Sequence, residues 1–179
     1  LAHRRQRQMC IRDRDEIPKV KKIIAVDDSH ETFESYIAWR DSQGETDPGV
    51  STSLDDDIIQ LYTSGTTGHP KGVQLTNQNF SSANDTIEGI VPFKEGTPNL
   101  VCMPGYHVAG TNWGIWGLIH GCKNIIIADI DPVLILELIE KEKIRSSLFV
   151  PAVILFLVSI PQAADTDFSS LKFVLYGAS

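Results

Sequence analysis

The residues best suited to hold a polyanion lie in one stretch, Tyr62-Thr-Ser-Gly-Thr-Thr-Gly-His-Pro-Lys-Gly-Val73. Residues 63–72 hold four hydroxyl side chains (Thr63, Ser64, Thr66, Thr67), three glycines (Gly65, Gly68, Gly72) and one lysine, Lys71. Glycine lacks a Cβ, so its backbone N–H can approach an anion closely. Hydroxyls add donors, and lysine adds a compact positive charge. The competing reading is an ordinary Gly/Ser/Thr-rich surface turn, but such a turn needs one or two glycines and no lysine. The composition therefore points to a phosphate cradle.

The spacing excludes one kind of cradle. In the Walker loop, G-x-x-x-x-G-K-[ST], the lysine follows a glycine directly and precedes a hydroxyl that holds Mg²⁺. Here His69 and Pro70 separate Gly68 from Lys71, and Gly72 follows the lysine. Proline fixes φ and removes a donor. The apolar runs on either side (Ile58, Ile59, Leu61 before; Val73, Leu75 after) predict a stiff hairpin between two strands, with a helix only after Thr76.

At these residues the chain resembles the adenylate-forming (AMP-binding) superfamily, which includes acyl-CoA synthetases, luciferases and peptide-synthetase adenylation domains. Two further segments agree in order and spacing. Met103-Pro-Gly-Tyr-His-Val-Ala-Gly110 resembles the P-x-[FY]-H-x-x-G element of fatty acyl-CoA synthetases, and Leu171-Lys-Phe-Val-Leu-Tyr-Gly-Ala-Ser179 resembles the segment whose small-residue turn borders the adenine. The resemblance covers about residues 17–179 and is closest to fatty acyl-CoA synthetases.

The resemblance implies a reaction in two steps. A carboxylate attacks the α-phosphorus of ATP, giving acyl-adenylate and pyrophosphate; coenzyme A thiol then displaces AMP. In that scheme Thr63, Ser64, Gly65, Thr66, Thr67, Gly68 and Lys71 bind the β- and γ-phosphates. Thr63 is also a candidate Mg²⁺ ligand, its acidic partner expected beyond Ser179. Gly177, Ala178 and Ser179 border the adenine. His107, with Tyr106 beside it, is the candidate catalytic residue, orienting the acyl carboxylate or gating the tunnel mouth; a lone histidine after a strand is otherwise simply packed or solvated. Trp113 and Trp116, three apart on a helix, can line an acyl tunnel or pack in the core. His69, His120 and Asp129 carry no argument above background.

Alternating strand and helix patterns supply the scaffold. Strands are expected at residues 23–26, 100–103 (halted by Pro104), 123–128, 147–150 and 171–175. Helices are expected at 31–40 (Phe33, Ile37, Tyr36 and Trp39 inward), 77–89, 110–121, 131–143 and 152–159. Thr76 and Asp131 are the predicted N-caps, the latter followed by Pro132. Gly114 and Gly117 let a neighbour approach closely. Residues 42–53 read as a loop or linker. Asp55-Asp-Asp57 reads as a solvated strand entry, because consecutive strand residues point to alternate faces and cannot all grip one ion. The pattern predicts an α/β fold with a largely parallel sheet flanked by helices, and the resemblance implies part of the large N-terminal domain of the adenylate-forming fold.

Composition sets the remaining bounds. The chain has 179 residues, 16 basic and 23 acidic, and a net charge of −7. That acidity argues against a general nucleic-acid binder. Cys10, Cys102 and Cys122 show neither metal nor C-x-x-C spacing, which reads as free thiols in a reducing, cytoplasmic setting. The apolar run 148–160 is too short to span a bilayer and contains Pro151, although peripheral membrane contact stays compatible. Residues 1–14 hold five arginines and one acid. They resemble translated sequencing-adapter text and are expected to be a non-native leader, with residues 15–179 a partial adenylation domain truncated at both ends. The reading is part of an ATP-dependent fatty acyl-CoA synthetase using ATP, Mg²⁺ and coenzyme A, inactive as this segment alone. Alternatives are an aryl or other carboxylic-acid–CoA ligase, or a non-catalytic nucleotide-binding homologue. Oligomeric state is left open.

Overall fold

The computed structural model describes residues 20–26, 33–63 and 69–177. The chain forms two compact units, Leu1–Val50 and Ser51–Ser179, whose boundary falls inside the loop expected over residues 42–53.

In the first unit β1 (Ile24–Ala25) pairs in parallel with β2 (Glu34–Ser35), and Lys22 Nζ lies 2.5 Å from Glu34 Oε2. α1 (Tyr36–Asp41) follows at once. The helix expected from residue 31 is therefore shorter, because pairing with β1 takes Glu34 and Ser35 into a strand; residues 31 and 32 lie outside the described residues. Tyr36 and Ile37, expected inward, are exposed, while Phe33 and Trp39 are half-buried. Fewer than two turns bury no residue of α1, so the helical period has no core to face among the described residues.

The second unit opens with a hairpin. β3 (Asp57–Thr63) and β4 (Lys71–Thr76) run antiparallel, with Ile59 opposite Leu75, Leu61 opposite Val73 and Thr63 opposite Lys71. Asp55, Asp56 and Asp57 are exposed at the strand entry, and Asp56 Oδ2 accepts the Ser53 N–H at 2.7 Å. β4 runs straight into α2 (Asn77–Glu88). Thr76 caps it as expected: its hydroxyl accepts the Asn79 N–H while Asn79 Oδ1 accepts the Thr76 N–H at 3.0 Å, a reciprocal box that satisfies two otherwise orphaned donors.

The remainder is a doubly wound parallel sheet in the order β6-β5-β7-β8. Its strands are β5 (Pro98–Val101), β6 (Lys123–Ile126), β7 (Ser146–Phe149) and β8 (Phe173–Tyr176). α3 (Val108–Ile119) joins β5 to β6, α4 (Pro132–Lys141) joins β6 to β7, and α5 (Pro151–Ser159) with a 3₁₀ turn (Pro161–Ala164) joins β7 to β8. Successive strand residues face opposite sides, and β5 shows it. Leu100 packs into a core with Ile135, Leu136 and Ile139 of α4 and Val153 and Leu157 of α5. Val101 packs into a second core with Trp113 and Trp116 of α3 and Ile87 of α2. Both faces of the sheet are thus covered, which parallel strands require.

Several boundaries moved by one to three residues. β5 ends at Val101, before Pro104 can act, because its pairing with β6 stops at Val101↔Ile126. α3 begins at Val108 because His107 caps it. α4 stops at Lys141 because Lys143 turns away with φ +53°. The two tryptophans are core residues: Trp113 is 1 % exposed and donates Nε1–H to the Leu100 carbonyl at 3.1 Å. Gly114 does not provide the close approach expected of it, since a Cβ there would meet Val101 at an ordinary 3.7 Å. Gly110 and Gly117 do, with Gly110 against the Met103 and Pro104 carbonyls and Gly117 against the amides of Asn124 and Asn99. No helix among the described residues is long and apolar enough to cross a membrane.

Candidate functional site

The four-stranded sheet has one place where its strands part. β5 pairs with β6 through Val101↔Ile126, and β7 pairs with β8 through Phe149↔Tyr176, but β5 and β7 pair only at Asn99↔Ser146 and Leu100↔Ser147. Beyond Leu100 the two central strands fork. Their chains also leave in opposite directions, β5 through α3 toward one edge and β7 through α5 toward the other. In open α/β sheets such a switch point at the carboxyl ends of the strands is where ligands bind. Cys102 fills the base of the fork, its Sγ 3.6 Å from the Leu148 carbonyl oxygen. Burial pushes its thiol pKa up to about 11, against a smaller opposing effect of the Ser147 hydroxyl, so this cysteine is structural rather than nucleophilic.

The rim of the fork carries His107. The chain leaving β5 makes a tight turn in which the His107 N–H bonds the Pro104 carbonyl at 3.0 Å. His107 then caps α3, its Nδ1 accepting the Ala109 N–H at 3.2 Å. An imidazole nitrogen that accepts cannot carry the proton, so the neutral ring holds its N–H at Nε2. His107 is exposed, and Tyr106 at the tip of the turn is 84 % exposed. The cap role was missed in the sequence because histidine is not among the preferred N-cap residues. On the far side of the fork Gly177 follows β8, its N–H 3.4 Å from the Phe149 carbonyl. Ala178 and Ser179 lie outside the described residues.

The cradle is set by the hairpin. Thr63 and Lys71 face each other in the final register pair, so the loop between them starts and ends at one point. Both are exposed, and Lys71 has no ion-pair partner among the described residues. A Cβ at Gly72 would strike the Gln60 amide, which hydrogen-bonds Tyr62 OH on its own strand at 3.0 Å. Ser64, Gly65, Thr66, Thr67 and Gly68 lie outside the described residues. The structure therefore brings Thr63 and Lys71 together, and places His107 and Gly177 on the carboxyl edge of the sheet. The hairpin and the sheet share no strand pairing among the described residues, and α2 continues directly from β4.

Thr63 offers a metal one neutral oxygen. Mg²⁺ takes about six oxygens and is usually held by one or two carboxylates plus substrate phosphates. No group of three or more His, Cys, Asp or Glu converges among the described residues. Thr63 thus fits as a supporting ligand to a cation arriving with a nucleotide.

Sequence reasoning also missed a buried polar chain beneath the fork. Asn99, fully buried, donates Nδ2–H to Asn124 Oδ1 at 2.8 Å and accepts from Ser146 Oγ at 2.8 Å. Asn124 in turn donates to the Gly114 carbonyl of α3 at 2.7 Å. Three strands and a helix are pinned by one network. The amides at matching strand positions were its only sequence trace. An apolar cavity of about 620 Å³ lies on the opposite face, between α5, the 3₁₀ turn and β8. Ser159 is the one polar residue lining it, so it has little with which to orient a phosphate or a carboxylate.

Comparison with known proteins shows the family and the fold. The profile of the AMP-binding enzyme family matches residues 2–179. The chain belongs to that family. Among characterised AMP-binding enzymes, it is 32 % identical over 151 residues to the fatty acid–[acyl-carrier-protein] ligase ScoC of Streptomyces coeruleorubidus, covering 82 % of this chain and 29 % of ScoC. It is 31 % identical to 4-coumarate–CoA ligase 2 of Nicotiana tabacum, covering 88 % of this chain and 30 % of that protein. Among solved structures, the inhibitor-bound N-terminal domain of FACL13 from Mycobacterium tuberculosis superposes with a TM-score of 0.73 at 29 % identity, covering 80 % of this chain and 36 % of that one. The chain spans less than a third of the length of these two curated relatives. The α/β fold is that of the N-terminal domain of adenylate-forming enzymes.

Proposed function

We propose that this chain is part of an ATP-dependent acyl-CoA synthetase that activates a fatty acid. The observation that carries the reading is the Thr63–Lys71 register pair, which closes a loop of hydroxyls and glycines beside a lysine with no ion pair among the described residues. The triphosphate tail lies in that loop, with Lys71 on its terminal oxygens and loop N–H groups as donors. A carboxylate oxygen of the acid attacks the α-phosphorus, the bond to the bridging oxygen breaks, and pyrophosphate leaves with the negative charge. The chain's contribution to this phosphorus transfer is positioning and positive field. His107 sits at the rim of the fork and presents Nε2–H as a donor to a carboxylate oxygen, orienting the nucleophile. Gly177, Ala178 and Ser179 are the small residues assigned to the adenine side. In the second step the coenzyme A thiolate attacks the acyl carbonyl and AMP departs. Mg²⁺ arriving with ATP would neutralise phosphate charge when bound, and Thr63 would be one of the residues that hold it.

A second reading is an aryl-acid–CoA ligase, favoured by the likeness to 4-coumarate–CoA ligase 2. Pyrophosphate release from a full-length enzyme carrying this sequence separates the two, assayed with saturated acids of graded length and with cinnamate-type acids. Fastest turnover with medium or long chains, and acyl-CoA detected by mass spectrometry, supports the first. Turnover confined to aryl acids selects the second, and nucleotide binding without pyrophosphate release with any acid points to a non-catalytic homologue. Residues 1–179 alone are expected to form no thioester.

A further inference from the structure

We infer that Thr111 is the positioning residue for His107, acting through the Gly105 carbonyl. The turn that carries the imidazole is exposed and held weakly by itself. Its tip, Gly105 and Tyr106, protrudes, and a Cβ at Gly105 would touch nothing within 4 Å, so packing does not fix it. One backbone bond, His107 N–H to the Pro104 carbonyl, closes it from within.

Thr111 ties this turn to the helix. Its Oγ1 lies 2.7 Å from the Gly105 carbonyl and 3.2 Å from the His107 carbonyl. A hydroxyl has one proton to donate, and the shorter contact takes it. The bond therefore reaches six residues back, across the base of the turn, in place of the usual bond to the carbonyl one helical turn earlier. The Thr111 backbone N–H meanwhile bonds the His107 carbonyl at 3.0 Å. Side chain and backbone of one residue thus grip both sides of the turn. Gly110 completes the arrangement, because only a residue without a Cβ lets this first helical turn lie against the Met103 and Pro104 carbonyls. With the turn shut, Nδ1 stays on the Ala109 N–H, which leaves the proton of the neutral ring on Nε2. An ordinary helical threonine, bonding only to its own preceding turn, would have no such influence on the imidazole.

This inference rests on the proposed role of His107, and the experiment separates the two. In ¹⁵N-labelled chain, the imidazole of His107 is expected to show the Nε2–H tautomer. Thr111→Val keeps the shape and removes the donor. It is expected to turn that signal into a mixture of tautomers, and Thr111→Ser to restore it, with helical circular dichroism unchanged in both. In the full-length enzyme Thr111→Val is expected to raise KM for the carboxylic acid about tenfold with KM for ATP unchanged, as one lost hydrogen bond permits. A wild-type tautomer signal in Thr111→Val overturns the assignment of Thr111. A normal acid KM and turnover in His107→Ala instead sinks the role of His107, while the tautomer signal still decides for or against Thr111.

Discussion

Asn99 and Asn124 stand side by side on neighbouring parallel strands, their side-chain amides joined at 2.8 Å beneath α3. Gly117 of α3 sits directly above this pair, where any Cβ would strike both amides. The helix that His107 caps is thereby held down at its middle by the Asn124–Gly114 bond and at its start by the Gly110 notch. This couples the polar interior of the sheet to the rim of the fork.

Removing the centre of that chain should be costly. Asn99→Ala strands Asn124 Oδ1 and Ser146 Oγ in the interior and leaves a void. A loss of about 2–4 kcal/mol is expected in urea denaturation. Ser81→Ala, on the exposed side of α2, should stay within about 0.5 kcal/mol. Equal midpoints for the two variants would show the network to be idle.

Lys71 should matter for turnover and little for folding. It is exposed and has no ion pair among the described residues, so Lys71→Ala is expected to change stability by less than about 0.5 kcal/mol. In the full-length enzyme the same change should slow pyrophosphate release by about 10²–10³-fold, the scale of losing one preorganised charge at a transition state. Unimpaired release would remove the hairpin from the reaction.

Asp167 predicts a window of acid sensitivity. Its carboxyl is lowered from 3.8 to about 2, chiefly by hydrogen bonds from Ser169 and then by Lys143, whose Nζ lies 3.1 Å away. A carboxylate whose folded pKa lies below its unfolded value stabilises the fold above the unfolded value. That contribution fades as pH falls from about 4 toward 2. Carboxyl ¹³C titration should find Asp167 titrating last, and Asp167→Asn should flatten the stability change in that interval. A midpoint near 4 would refute the assignment.

The thiol of Cys102 should resist alkylation. It is buried, and its pKa of about 11 leaves little thiolate near neutral pH. Iodoacetamide at pH 8 is expected to leave the Cys102 peptide unmodified in the native chain and to label it fully in denaturant, as read by mass spectrometry. Linkage runs in the same sense: a raised thiol pKa stabilises the fold below pH 9 and stops doing so as pH rises toward 11. Rapid native labelling would mean the fork opens readily.

Much of this architecture is written locally. Thr76 with Asn79, and Asp131 with Pro132, start their helices because a side-chain oxygen three residues from a free N–H needs no distant partner. Val73 and Leu75 pair across from Leu61 and Ile59 because seven intervening residues can close only a hairpin. The hydroxyl, glycine and lysine content of the loop is the basis for proposing a phosphate there for the same reason: those chemistries reside in the residues themselves.

The rest depended on which distant segments meet. Nothing near Leu100 in the chain says that its strand lies between β6 and β7, or that Leu100 is its last register pair with β7; both are settled by which strands meet in the folded sheet. The pairing of Asn99 with Asn124 and Ser146 spans 25 and 47 residues, and an amide in a strand looks the same whether or not it finds a partner. Trp113 became a core residue bonded to Leu100 only once α3 was laid on the sheet. Residue types and their spacing thus determined the chemistry on offer and where each element begins. The packed sheet decided which of those groups share an edge, because burial and long-range hydrogen bonds exist only after the chain has closed on itself.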